Sequence, residues 1–403
     1  MKRLLAISIL LAAAFTSALG QNNPYEIDDG CYEYFRMAEA LVGDTSSEAF
    51  EYANAALLKK AIETGDEKAR TLHYVGKQKR ATRLARNMEN REAANDLVDR
   101  QRKETTAIAR ETGYMQYYYY AYVLCQTYYV NTKQEIKAQT LLQEMMETAT
   151  REGDPYGVWQ SHSYLAALYQ RQNDIFNARR HLQQAVEIYE STEDKTIRRQ
   201  SISRHYCDLA DTYKNGSDSA RYYYAMAEKE AKTHLDTVRF MYYKAQTAAL
   251  DHQVGAYRRY RDFCLGDGAF PSMVTGGEHL FASADAILQG APKDSIIALA
   301  TRTNVRKQRI YLRELAIAWD REDIAAWLGS NIIVTFYSDI RLLNDLKMGE
   351  LTTAIEHRQL TIGMEKLRRT NLLLWIALGI TGAALLALLA ALLLRNRKKT
   401  HTQ

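Results

Sequence analysis

Between Trp159 and Thr192 apolar residues recur at helical spacing twice over. Trp159, Leu165, Ala166 and Tyr169 mark one face of a first helix. Ala178, Leu182, Ala185, Ile188 and Tyr189 mark one face of a second, and Asn173-Asp174 between them has the chemistry of a turn. Ala166, Ala178 and Ala185 fall where the two helices must cross, since small side chains let backbones approach closely. The pattern predicts a helical hairpin, and it recurs. Leu124-Cys125-x-x-Tyr128 is followed by Ala138, Leu142 and Met145; Leu209-Ala210-x-x-Tyr213 is followed by Ala220, Tyr224 and Ala227. Ala138, Ala178 and Ala220 lie 40 and 42 residues apart. Upstream, Ala49, Ala53, Ala56, Leu57 and Ala61 form a stripe that Gly65-Asp66 ends. Ala81, Leu84, Ala85, Ala93, Leu97 and Val98 predict further helices before Gly113.

The motif Leu165-Ala166-x-x-Tyr169, then Ala178-x-x-x-Leu182-x-x-Ala185, resembles the tetratricopeptide repeat (TPR), whose period is about 34 residues. The extra residues here fall between repeats, as in Arg151 to Pro155. Periodicity and resemblance together predict an all-α, TPR-like helical-hairpin solenoid over residues 21–340. Its clearest repeats are at about 118–150, 159–192 and 203–232. Ala256-x-x-x-Tyr260-x-x-Phe263 fits the second helix of a fourth. Gly266 to Gly277, with four glycines and Pro271, predicts a loop that interrupts the stack. Residues 279–340 read as helical again, with Ile332, Ile333, Val334, Phe336 and Tyr337 covering the last helices.

The ends change the picture. Met1-Lys2-Arg3, an apolar run from Leu4 to Phe15 and the small residues Ala18-Leu19-Gly20 predict a signal peptide over 1–20, cut before Gln21. Leu372 to Leu394 is a run of 23 residues without a charge. As a helix it would be about 34 Å long, enough to cross a bilayer core of about 30 Å. A transmembrane helix is therefore expected over 371–394, preceded by a charged juxtamembrane helix over 341–370 and followed by a basic cytoplasmic tail, 395–403. The expected location is the inner membrane, single-pass, with the bulk of the chain in the periplasm. Leu360, Met364, Leu367, Asn371 and Leu374 form a short coiled-coil-like seam. Gly379, Ala383, Ala387 and Ala391 repeat every fourth residue, the small-x-x-x-small pattern through which membrane helices pack into a homodimer; filler facing lipid is the alternative.

Composition supports an α-rich chain, with only four prolines among 403 residues. A net charge of +5, interspersed with acids, argues against nucleic acid as a partner. The arginines at 80, 83, 86, 91, 100 and 102 are balanced by Glu89, Glu92, Asp96 and Asp99, as on a solvated helix face. Twenty-eight tyrosines against nine phenylalanines is the one unusual ratio.

The tyrosines concentrate in Gly113-Tyr114-Met115-Gln116-Tyr117-Tyr118-Tyr119-Tyr120-Ala121-Tyr122, with Tyr128-Tyr129 beyond. This segment, with the domain order around it, resembles the exported sensor region of bacterial TPR-containing sensor histidine kinases. The resemblance covers roughly residues 30–395. It implies signalling through the span, and an associated histidine kinase or regulator, because no phosphoacceptor histidine motif or glycine-rich ATP box follows the span. The alternative is a membrane-tethered scaffold for assembly of envelope proteins. A third reading is a fragment of a longer sensor kinase.

No HExxH, P-loop, nucleophile elbow or dinucleotide fingerprint is present, so no catalytic, cofactor or metal site is expected. His162, His181, His205 and His252 read as isolated on helices. Cys125 and Cys207 read as small buried hydrophobes, while a disulfide between Cys31 and Cys264 stays open. The expected site is a surface for a protein or peptide partner. In TPR solenoids the first helix of each repeat lines a groove. By that analogy the groove carries Tyr119, Tyr122, Gln126 and Tyr129, then Gln160, Ser163 and Gln170, then Arg204, Asp211 and Lys214. The competing reading is that the tyrosines pack repeat on repeat.

Overall fold

A computed structural model describes residues 23–43, 47–303 and 305–333. The expected signal peptide, juxtamembrane helix, membrane helix and basic tail, with Gly379, Ala383, Ala387 and Ala391, lie outside the described residues. Among those described, no helix is long and apolar enough to cross a membrane.

The described chain is an all-α stack of helical hairpins. The first four are α1 (Asp29–Leu41) with α2 (Ser47–Thr64), α3 (Glu67–Arg86) with α4 (Arg91–Thr112), α5 (Met115–Asn131) with α6 (Glu135–Glu152), and α7 (Pro155–Arg171) with α8 (Ile175–Ser191). A short helix, α9 (Lys195–Arg198), leads to α10 (Ser203–Ala210) with α11 (Asp218–Lys229), then α12 (His234–Leu250) with α13 (Val254–Gly266). After a one-turn helix, α14 (Phe270–Met273), come α15 (Gly277–Leu288) with α16 (Lys293–Ala300), and α17 (Arg306–Ala318) with α18 (322–333).

The turn inside several of the hairpins is built the same way. Lys133, Asn173, His252 and Asp320 all adopt the left-handed conformation. The next N–H then reaches back five residues: Gln134 to the Tyr129 carbonyl, Asp174 to Tyr169, Gln253 to Ala248 and Arg321 to Ala316, at 2.8 to 2.9 Å. This closure satisfies carbonyls that the helix end leaves orphaned. Several following helices are then capped by side chains. Asp154 accepts from the Tyr156 and Gly157 N–H groups and Asp174 from Asn177, a device that stabilises by about 1 kcal/mol.

The recurring alanines lie in the crossings: Ala138, Ala166, Ala178, Ala185 and Ala227 are fully buried. Through α13, each first helix packs on its own second helix and, from α3 on, against the second helix before it, whereas α17 packs on α12 and α15. First helices also touch one another, α1 with α3, α3 with α5, α5 with α7 and α10 with α12, whereas no two successive second helices pack to a comparable degree. A layer whose members touch follows the shorter arc. The first helices therefore form the inner wall of the solenoid.

Three expectations need correction. The third repeat is irregular: α10 ends at Ala210, so Tyr213 falls past the helix rather than on it. The segment 266–277 is no open loop, because α14 drives Phe270 into the core, 5.6 Å from the Phe281 ring and 5.9 Å from Tyr242. Nor is the arginine-rich stretch a purely solvated face. Arg80 is buried, donating to the Val42 carbonyl (3.1 Å), and Arg102 is buried over the Tyr122 ring (4.7 Å). Arg83, Arg86 and Arg100 are exposed as expected.

Candidate binding surface of the solenoid

The four tyrosine-segment residues assigned to the groove are not on it. Tyr119, Tyr122, Gln126 and Tyr129 are all buried. Tyr122 donates to Glu144 (2.9 Å) under the Arg102 guanidinium, and Tyr129 donates to Asp99 (2.9 Å), so both tie α5 to its flanking second helices. Tyr119 lies against Gly157 at the start of α7: a Cβ placed there would stand 2.3 Å from the Tyr119 Cζ. Only glycine admits this approach. The reading in which tyrosines pack repeat on repeat holds for these positions.

The face that solvent does reach lies one helical position round. On α5 it carries Tyr117, Tyr120, Leu124 and Thr127; on α7 it carries Tyr156, Gln160, Tyr164 and Ala167. Tyr120 stands under the Lys79 ammonium of α3 (5.7 Å), which in turn holds Glu39 of α1 at 2.8 and 2.9 Å. Gln160 donates to the Tyr156 hydroxyl (3.0 Å). Burial raises Tyr117 to about 12, and it also raises Tyr120, Tyr156 and Tyr164 above the usual phenol value. Each ring is thus half-buried, touched by solvent on one side and covered by neighbouring side chains on the other. The inner wall over α5 and α7 carries a half-buried row of tyrosines, flanked by the paired Lys79 and Glu39.

Farther along, the expected residues divide. Ser163 is half-buried, its Oγ 2.7 Å from His205 Nε2, and Gln170 donates to the Asp208 carbonyl (3.3 Å). Both therefore join α7 to α10. Arg204 is open, its side chain 61% exposed beside Asp208, and Lys214 is exposed. Asp211 is not available to a ligand: it accepts from the Tyr224 and Tyr243 hydroxyls, each at 2.8 Å, and pairs with Lys307. Its carboxylate instead binds α11, α12 and α17 together.

The histidines also differ from expectation. His162 and His181 meet across the fourth hairpin with their Nδ1 atoms 2.7 Å apart. They lie ten residues before and seven residues after the turn at Gln172 to Asp174, on facing helices of one hairpin. All four cysteines are free and buried, so Cys31 and Cys264 are not bonded. Among the described residues no group of three or more histidine, cysteine or carboxylate side chains converges as metal ligands would.

No family model matches the chain, and no curated protein matches it. Among solved structures it is similar to a circular tandem repeat protein with novel repeat topology and enhanced subunit contact surfaces. That similarity has 12% identity and a TM-score of 0.25 over 86% of this chain and 90% of that one. At such a score the helical-repeat architecture rests on the helix pairing described above.

Proposed function

We propose that this chain is a TPR-like interaction module, tethered to the membrane through residues 371–394, that binds a protein or peptide segment on its inner wall and signals through the span. One observation carries the binding reading: Tyr117, Tyr120, Tyr156 and Tyr164 share a half-buried face that solvent reaches. Tyrosine suits such a face, giving broad contact at low conformational entropy cost and a hydroxyl for polar groups of the partner. Glu39 and Lys79 pair with each other, so recognition would rest on area and hydrogen bonds, with Arg204 the open charge beside Tyr164. The signalling half rests on the expected span and on the sensor-region resemblance.

The test is affinity purification of the tagged protein from solubilised native membranes, beside variants Tyr120→Ala and Tyr164→Ala. Aromatic anchors of an interface cost about 2 kcal/mol or more when truncated, so bound partner should fall about 30-fold while helicity and melting hold. Unchanged recovery from folded variants would sink the reading. Replacing 395–403 by an unrelated basic tail separates signalling from scaffolding: loss of output supports a relay to an associated histidine kinase or regulator, and retention supports the scaffold for envelope proteins.

A further inference from the structure

The inner wall lapses at one place. Between the fourth and fifth hairpins, α7 and α10 do not pack as the earlier first helices do; side chains bridge them. Ser163 reaches His205, Gln170 reaches the Asp208 carbonyl, and the Trp159 ring lies 5.3 Å from the His205 ring. From α8, Arg179 donates to the Thr212 hydroxyl (3.0 Å). Two separate apolar clusters meet on the same hairpin, one running from Ala85 to Leu168 and the other from Trp159 to Leu328. The fourth hairpin is the seam between them.

Three histidines converge on that seam, and they cannot all be charged as placed. His162 and His181 are each 9% exposed, and their Nδ1–Nδ1 contact needs one donor and one acceptor. The pair can share one added proton, but a second would set N–H against N–H. His181 is also stacked on Tyr169 (5.4 Å, 7°), whose hydroxyl accepts from Gln139 of α6, and the charge facing the pair is that of Arg180. His205 engages Ser163 through Nε2, while its Nδ1 is buried with no protein partner. Asp208 and Arg204 on its own helix and Arg239 from α12 are the charges around it.

We infer that the fourth hairpin is an acid-opened joint, at which protonation of the His162–His181 pair and of His205 parts α7 from α8 and α10. The hairpins on either side would keep their own cores, since a repeat stack can open locally without unfolding as a whole. Burial lowers His181 and His205 to about 4 and lowers His162 as well. Because the closed form holds these groups neutral, closure is favoured above about pH 6.5 and weakens as pH falls from there towards 4. Each group moved from 6.5 to about 4 favours the open form by up to roughly 300-fold once pH is well below 4, and by about 20-fold between pH 7 and pH 5. His73 supplies an internal contrast. Burial lowers it too, but its Nδ1 meets the Asn54 carbonyl (2.8 Å), a bond that opposes that shift and that protonation keeps.

Hydrogen exchange of the full chain in detergent, at about pH 7 and pH 5 with intrinsic rates corrected, reads the joint directly. Protection over 155–191 and 203–210 should fall at least tenfold, roughly, while α3 around His73 holds. The triple variant His162→Gln, His181→Gln, His205→Gln should lose that response. No change in wild type, loss spread evenly along the stack, or a response that survives in the triple variant would each overturn the inference. Should that variant not fold, histidine ring resonances of wild type decide: midpoints below about 5.5 that coincide with opening support it, and midpoints near 6.5 overturn it.

Discussion

Replacing Gly157 by alanine tests the packing that holds the inner wall. The new Cβ would stand 2.3 and 2.5 Å from Cζ and Cε1 of Tyr119 and 2.6 Å from the Ala149 Cβ. Carbon atoms rest at about 3.5 to 4.0 Å, so something must retreat by more than 1 Å, roughly. Tyr119 and Ala149 are both fully buried, which leaves the ring nowhere to turn and forces α5, α6 and α7 apart. Overpacking of this kind costs about 1–3 kcal/mol, and a clash this close belongs at the upper end. Alanine's better helix propensity returns about 1 kcal/mol, giving a net loss of about 2 kcal/mol. Gly255 in α13 is the control, with no atom within 4 Å of its added Cβ, so Gly255→Ala should be neutral or stabilise by up to about 1 kcal/mol. Because a repeat stack need not unfold in one step, the assay is hydrogen exchange resolved by hairpin, alongside urea melts. Protection should fall over 115–171 in Gly157→Ala and nowhere in Gly255→Ala. Equal stability of the two variants would refute the described approach of α5 to α7.

Other outcomes follow from single contacts. Tyr129→Phe leaves Asp99 without its hydroxyl donor and should lower stability by about 1 kcal/mol in urea melts. Asp211→Asn removes the carboxylate that gathers two tyrosines and Lys307, and hydrogen exchange should show α11, α12 and α17 loosening together. Arg221 holds Asp251 in two hydrogen bonds and so depresses its carboxyl below the usual range. That contribution is present above about pH 4 and is lost as pH falls further, so Arg221→Gln should flatten the acid limb of a pH–stability curve. Burial raises the thiols, Cys264 to about 12, so a disulfide-exchange reagent at neutral pH should label none of the four in the folded chain and all four in denaturant.

The hairpins were legible because their small residues repeat at fixed offsets from turn residues, and alanines 138, 178 and 220 proved to be crossing points. The register of α5 was not. Tyrosine occupies nearly every face of that helix, so no apolar stripe tells inside from outside. What selects Tyr119 for the core is the missing side chain at Gly157, 38 residues on. Reading the groove one position out followed directly, and with it Tyr120 was passed over for Tyr119. Arg80 and Arg102 misled for a related reason. A charge implies water until a partner from another hairpin is known, and Val42, Tyr122 and Glu144 are all distant in sequence. Asp211 fell on the expected face, but tyrosines from two later helices had already claimed it.

The central claim is that the inner wall, and not the outer layer, meets a partner. Its most direct test is a photo-crosslinking amino acid placed in living cells at Tyr120 or Tyr164, and for comparison at Arg100 or at Phe176, which is 76% exposed on α8. Discrete protein or peptide adducts are expected from the two inner positions, abolished when the neighbouring wall tyrosine is alanine. Adducts from Arg100 or Phe176 with none from Tyr120 and Tyr164 would contradict the claim.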